Sequence, residues 1–293
     1  MMPNRYDKIV KFLLWAAGIF LLLIVFVSNR DPRQMSWDLG PGPKIGVVEV
    51  KGIIYDSEQV VRRLDRLQRR DEIEGMVVRI DSPGGTVAAS QEIYSKIKNI
   101  VETDERFLIV SMGTVAASGG LYIALAADTI MANPGTTTGS IGVIVDYPVA
   151  EDFLEKIGIQ VEVIKSGALK DAGSPYRTST TADRASFQRV VDDLYEQFVT
   201  VVAEERELTE ENVRKFATGE VFSGRQAQKL NLVDILGSYE DAINLAGALT
   251  GNFERPVVIK PAAERRKSFL RYLLDEGVEG SLTPQLLPQY RMR

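Results

Sequence analysis

"EGMVVRIDSPGGT", residues 74–86, is a valine-rich apolar run that stops at a proline and two glycines. A short apolar run bounded by turn residues reads as a buried strand, and its glycine-bearing end is where a chain can turn sharply or let another backbone approach closely. Similar runs lie on either side: "KIGVVEV" (44–50), "RFLIVSM" (106–112), "DTIMAN" (128–133) and "QVEVIKS" (160–166). Helical periods separate them. Val60, Val61, Leu64 and Leu67 share one face, Ile93, Ile97 and Ile100 mark a second helix, and Phe187, Val190, Val191, Leu194, Phe198 and Val202 mark a long third. Strands alternating with helices predict an α/β fold with a largely parallel sheet flanked by helices.

In such sheets ligands bind in loops beyond the carboxyl ends of the strands. Two glycine-bearing segments occupy that position, "DSPGGT" (81–86) and "GTVAASGG" (113–120), and the second carries Ser118 at the start of an apolar helical stretch. A serine hydroxyl becomes a nucleophile only when a base takes its proton, and that base is usually histidine. The 293-residue chain has no histidine and no cysteine. That excludes disulfides, thiolate nucleophiles and sulfur-ligated metals, and it removes the commonest metal ligand, so neither a metal nor another cofactor is expected.

Lysine is the natural substitute, because a neutral amine is a competent base. A working lysine base needs its pKa lowered by about 3 units, which burial among apolar neighbours can supply. "VIKSGALKDAGSPYR" (163–177) offers Lys165 and Lys170; Asp171 would oppose such a shift if it faced the amine. Acyl transfer also needs backbone N–H groups aimed at the developing oxyanion. Gly84 and Gly85 suit close approach, and Gly119 presents its N–H where a helix dipole favours negative charge. Each piece has an ordinary reading too: "SPGG" as a tight turn, "ASGG" as a close-packed helix start, a lysine as a solvated cation.

The formal net charge of −5 leaves no basic excess to neutralise phosphates, so a general nucleic-acid binder is not expected. Arg62, Arg63, Arg66, Arg69 and Arg70 cluster on the polar face of the first helix and read as a solvated surface, with anionic lipid as the sharper alternative. The uncharged run "FLLWAAGIFLLLIVFVS" (12–28) spans roughly 25 Å as a helix, and Ile9 and Val10 can lengthen it toward a bilayer core of about 30 Å. A transmembrane anchor is expected rather than a cleaved leader, because bulky Phe26 stands where a signal cleavage site needs a small residue. Arg5, Lys8 and Lys11 before the span against Arg30 and Arg33 after it favour an internal N-terminus. The expected organisation is a cytoplasmic segment 1–11, the anchor 12–28, a Pro/Gly linker 29–43, a catalytic domain 44–250 on the extracytoplasmic side of the cytoplasmic membrane, and a C-terminal strand and tail 251–293.

"DSPGG", "AASGG" and "SGALKD", with Lys170 lying 52 residues after Ser118, together resemble the signal peptide peptidase A family of serine peptidases in its short, single-repeat form. "TTTGSIGVI" (136–144), "GSPYR" (173–177) and "GEVFSGRQAQKLNLVD" (219–234) add to the likeness, which covers Lys44 to Leu249. The resemblance implies a Clp protease/crotonase-like fold and a serine–lysine dyad. Ser118 would be the nucleophile, Lys170 the general base, Ser140 a residue orienting the lysine, and Gly85 and Gly119 the oxyanion donors, with Gly84 shaping the turn. It also implies peptide substrates such as cleaved signal peptides, membrane association, and a homo-oligomeric ring in which adjacent protomers complete the dyad. Leu121, Asp81 and Asn231 depart from the family pattern without touching the dyad. The competing readings are a membrane peptidase that clips stomatin-like proteins, a crotonase-like acyl-CoA enzyme with Asp81 or Asp171 moving protons, and a non-catalytic scaffold.

Overall fold

Four of the five apolar runs form the centre of one sheet: β1 (Lys44–Lys51), β2 (Gly75–Ser82), β3 (Leu108–Ala117) and β4 (Thr129–Ala132). The computed structural model describes residues 42–104 and 106–261. Short strands β5 (Thr137–Gly139), β6 (Val221–Ser223), β7 (Ile235–Leu236) and β8 (Val257–Ile259) extend the sheet in the order β6-β5-β3-β2-β1-β8, with β4 paired to both β3 and β7. Every pairing is parallel except that of β5 with β6. The central strands are buried on both faces, which is why their sequences read as continuous apolar runs rather than alternating ones.

The helices are α1 (Glu58–Gln68), α2 (Val87–Thr103), α3 (Gly119–Ala124), α4 (Glu151–Lys156), α5 (Thr181–Glu205), α6 (Glu210–Arg214), α7 (Gly224–Lys229) and α8 (Tyr239–Leu249). Leu64 and Leu67 of α1, Ile93, Ile97 and Ile100 of α2 and Phe198, Val199 and Val202 of α5 pack into the larger core with Val48, Val78 and Val110 of the sheet. The opposite face is covered by Ala242, Ile243 and Ala246 of α8 against Ile45, Val77 and Ile109. Along α1 the arginines pair with nearby side chains, Arg62 with Glu58 and, just past its end, Arg70 with Glu72.

One feature of β3 positions everything that follows. Its first half, Ile109–Met112, pairs with β4, and its last residues, Val115–Ala117, pair with β5. Between the two halves the register against β2 shifts: Ile80 faces Met112, yet Ser82 faces Ala116, so β3 accommodates two extra residues. Asp81 closes this bulge by accepting a hydrogen bond from the Val115 N–H at 3.1 Å. The Thr136 hydroxyl donates to the Gly113 carbonyl at 2.7 Å. The strand thereby bends out of one neighbour's reach and into another's, as bulges permit.

The run 160–166 is not a strand. Its backbone belongs to no sheet, and Val161, Val163 and Ile164 are exposed, Ile164 at 95%. The valine alternation needs a neighbouring strand to become a ladder, and none among the described residues pairs with it. This run sits in an excursion, residues 144–178, that leaves the sheet after β5 and returns at α5. No helix among the described residues is long and apolar enough to cross a membrane. The anchor expected over 12–28, the segment before it, most of the linker and the tail from 262 lie outside the described residues.

Candidate active site

The end of β3 turns directly into α3, and Ser118 stands at the junction with φ 52° and ψ −120°. A non-glycine residue at positive φ is uncommon and is retained where surrounding structure over-determines it, often at functional positions. Here the Ser118 N–H donates to the Gly139 carbonyl at 2.9 Å, and the Ser118 carbonyl accepts from the Tyr122 N–H at 2.9 Å. The backbone on both sides of the serine is therefore fixed. Ser140 occupies the matching position one residue past the end of β5, also at φ 52°, with its N–H donating to the Glu220 carbonyl at 2.7 Å. Because Ala117 and Gly139 are register partners, the two serines leave adjacent strand ends side by side.

The loop after β2 comes up against this junction with no room for side chains. A β-carbon on Gly84, which has φ 103°, would lie 2.8 Å from the Gly119 nitrogen and 2.9 Å from the Ser118 Cβ. One on Gly85 would lie 2.1 Å from the Ile54 carbonyl oxygen. Ile54 clamps the same loop by donating its N–H to the Gly84 carbonyl at 2.9 Å and accepting the Thr86 N–H at 2.8 Å. "SPGG" and "ASGG" are thus each a tight element, as their ordinary readings hold, and the two fit against each other. Among the described residues, the Gly85 and Gly119 N–H groups donate to no other group.

Gly85, Ser118 and Gly119 line one cavity of about 30 Å³ together with Val87, Ser90, Tyr122, Gly142, Val143, Leu194 and Phe198. Its wall is largely apolar. Ser90 is buried and donates its hydroxyl to the Thr86 carbonyl at 3.0 Å. Tyr122 packs edge-to-face between Tyr94 and Phe198, with ring centroids 5.2 and 5.1 Å away. Burial pushes the Tyr122 phenol up, against a smaller opposing effect of the Gln91 side chain, so the ring adds no charge to the wall.

Neither lysine candidate lines this cavity. Lys165 donates to the Asp171 carboxylate at 2.6 Å and to the Ala168 carbonyl at 3.2 Å. Lys170 lies in the exposed turn 167–173, its N–H donating to the Gly167 carbonyl at 3.1 Å, and it is not among the residues lining the cavity. That turn docks on the beginning of α5, where Gly173 approaches Phe187 and Arg177 reaches Asp183. The cavity takes Leu194 and Phe198 from the same helix. The seven residues from Phe187 to Leu194 are about 10 Å of helix axis. Within one chain, then, the fold brings together Ser118, Gly84, Gly85, Gly119 and the backbone at Ser140, and Lys170 is not among the residues that line their cavity.

Sequence reasoning placed Leu194 and Phe198 only among the apolar positions of a long helix and did not single out Ile54, Val87, Ser90, Tyr122 or Val143. Ser90 carried a faint signal, standing one helical turn after the glycine loop. Asp81 and Asp171, the acids considered for acyl-CoA chemistry, are respectively committed to the β3 bulge and to Arg177 and Lys165.

The largely parallel sheet is consistent with a Clp protease-like fold. The chain matches the Clp protease family model over residues 49–138 and the peptidase family S49 model over residues 102–251. It belongs to peptidase family S49, the family of the signal peptide peptidase A proteins, and is a peptidase. It is 45% identical to a putative protease of Synechocystis sp. over 71% of this chain and 75% of the relative. A putative protease of Methanocaldococcus jannaschii is 31% identical over 89% and 87% of the two chains. A putative signal peptide peptidase SppA of Enterococcus faecium is 36% identical over 75% and 68%.

Proposed function

We propose that this peptidase is a membrane-anchored serine endopeptidase in which Ser118 is the nucleophile and Lys170 of an adjacent copy is the general base. The observation that carries the reading is the Ser118 junction itself, a hydroxyl at a strained strand-to-helix turn beside the unoccupied N–H groups of Gly85 and Gly119. Ser118 Oγ attacks the peptide carbonyl carbon as its proton passes to the neutral lysine amine. The carbonyl oxygen, now negative, takes hydrogen bonds from the two glycine N–H groups, each such donor being worth about 3 kcal/mol in related sites. Collapse expels the leaving amine, which is protonated by the lysine ammonium, and water then hydrolyses the acyl-serine with the regenerated Lys170 amine as base. Ser140 would orient the incoming lysine from the neighbouring strand end.

One observation supports completion of the dyad between copies in a ring: the excursion that carries Lys170 exposes apolar side chains that a second copy would cover, among them Ile144 at 86% and Phe153 at 63%. The small apolar cavity suits a small apolar side chain before the scissile bond. Together with the name of the Enterococcus relative, this points to signal peptides and other membrane-associated peptides as substrates. The anchor expected over 12–28 would hold the domain on the extracytoplasmic side of the membrane, where tethering raises the effective concentration of such substrates.

The test is hydrolysis of a fluorogenic peptide by the full-length chain in detergent. Ser118→Ala and Lys170→Ala should each abolish turnover, and mixed oligomers of the two variants should regain part of it. Stable mixed oligomers without any recovery place the dyad within one chain. A wild type inert on every peptide shifts the reading to a scaffold.

A further inference from the structure

Arg177 makes an unusual set of contacts for a side chain in an exposed excursion. Its Nε donates to Asp171 Oδ2 at 2.9 Å and its Nη2 to Asp171 Oδ1 at 2.8 Å, the two parallel bonds of a guanidinium fork on a carboxylate. The same Nη2 reaches the Asp171 backbone carbonyl at 3.3 Å. Nη1 donates to Asp183 Oδ2 at 2.5 Å and to the Thr178 carbonyl at 3.2 Å. Asp183 is no surface partner. Its side chain is 1% exposed, and it forms the capping box of α5, accepting the Thr180 N–H at 2.9 Å while its own N–H donates to the Thr180 hydroxyl at 3.1 Å.

Arg177 therefore rivets residue 171, the immediate neighbour of Lys170, to the first turn of the 25-residue helix whose later turns supply Leu194 and Phe198 to the cavity wall. It grips residue 171 by both carboxylate oxygens and the backbone, which fixes the turn in position and in orientation. A carboxylate next to a lysine base holds the proton on the amine, the wrong state for a base. Here both Asp171 oxygens are committed, to Arg177 and, for Oδ1, also to Lys165. Within the excursion, the Glu151 carboxylate also accepts the Thr178 N–H at 2.6 Å.

We infer that Arg177, acting through Asp171 and Asp183, is the positioning residue for the lysine of the dyad: it anchors the Lys170 turn to α5 and keeps the Asp171 carboxylate occupied. This rests on the reading of Lys170 as the base. A lysine in place of the arginine keeps a charge but lacks the fork, so the two residues are not equivalent here.

The test compares Arg177→Gln, Arg177→Lys and Asp171→Asn/Arg177→Gln in the full-length chain in detergent, with Ser118→Ala and Lys170→Ala as controls. Arg177→Gln should lower kcat about 100-fold, the cost of roughly 1 Å of misplacement, with KM nearly unchanged, and added guanidinium ion should restore part of the loss. Arg177→Lys should fall between it and the wild type, and it decides the matter if the glutamine variant does not assemble. Removing Asp171 as well should cost little more, because the two side chains act as one unit. In the Ser118→Ala background, Arg177→Gln should speed amide hydrogen exchange over residues 165–173. A wild-type kcat in the arginine variants while both controls are dead overturns the inference alone. Active controls overturn the dyad, and the exchange result then decides the anchoring: protection unchanged by Arg177→Gln overturns that too.

Discussion

The sheet and the excursion over 144–178 are held by opposite means. In the sheet, Ile80, Ile109 and Val110 are fully buried, and stability comes from apolar surface removed from water. In the excursion the apolar side chains face outward, and order comes from Arg177, Asp171, Lys165, Asp183 and Glu151. Tyr147 adds its ring against Phe187 at 5.3 Å and its hydroxyl at 3.0 Å from the Ser179 hydroxyl. The outward-facing isoleucines are the surface on which the proposed contact between copies would form. The contrast separates what the domain needs to fold from what the proposed assembly would need.

Mutations in the two regions should separate those needs. The largest stability effect is expected in the core, where Ile80→Ala should cost about 2–5 kcal/mol in chemical denaturation. Gly85→Ala follows, at about 1–3 kcal/mol with turnover lost, since its β-carbon meets the Ile54 backbone rather than a side chain that can move. Acid should act on the excursion. Arg177 holds the Asp171 and Asp183 carboxyls well below the usual range, helped by Lys165 at the first and by the Thr180 N–H at the second. Their contribution is present above the ordinary aspartate value of about 3.9 and is lost as pH falls through the depressed values, so proteolysis within 144–178 should quicken below about pH 4. Smallest in stability is Ile164→Ser, expected within about 0.5 kcal/mol of the parent, yet it should weaken the oligomer in light-scattering measurements. An Ile164→Ser chain that loses core stability would erase the distinction.

The core strands were legible because each is a run of β-branched and aliphatic residues with turn residues at its ends. β5, β6 and β7 were not, since two or three residues carry no period. The second half of β3 was missed because Gly113, Thr114, Ala116 and Ala117 are small or polar; what makes them strand is the bulge closed by Asp81, a contact between distant positions. The run 160–166 misled because alternation specifies a face but does not supply a partner. Ser118 and the glycines could be found because backbone chemistry demands particular residue types there. The wall could not, because Val87, Val143 and Leu194 are ordinary apolar residues gathered from three distant segments.

The paired serines carry a last consequence. Ser118 and Ser140, both at φ 52°, follow the register pair Ala117 and Gly139, and the Ser118 N–H extends the hydrogen-bonded ladder to the Gly139 carbonyl. The interval between the two residues is set by strand spacing, roughly 4.8 Å, a property of the sheet rather than of any rotamer. Val87, Val143, Leu194 and Phe198 can be exchanged without altering that gauge. The wall residues can thus vary while the spacing of the two serine backbones stays as the sheet sets it.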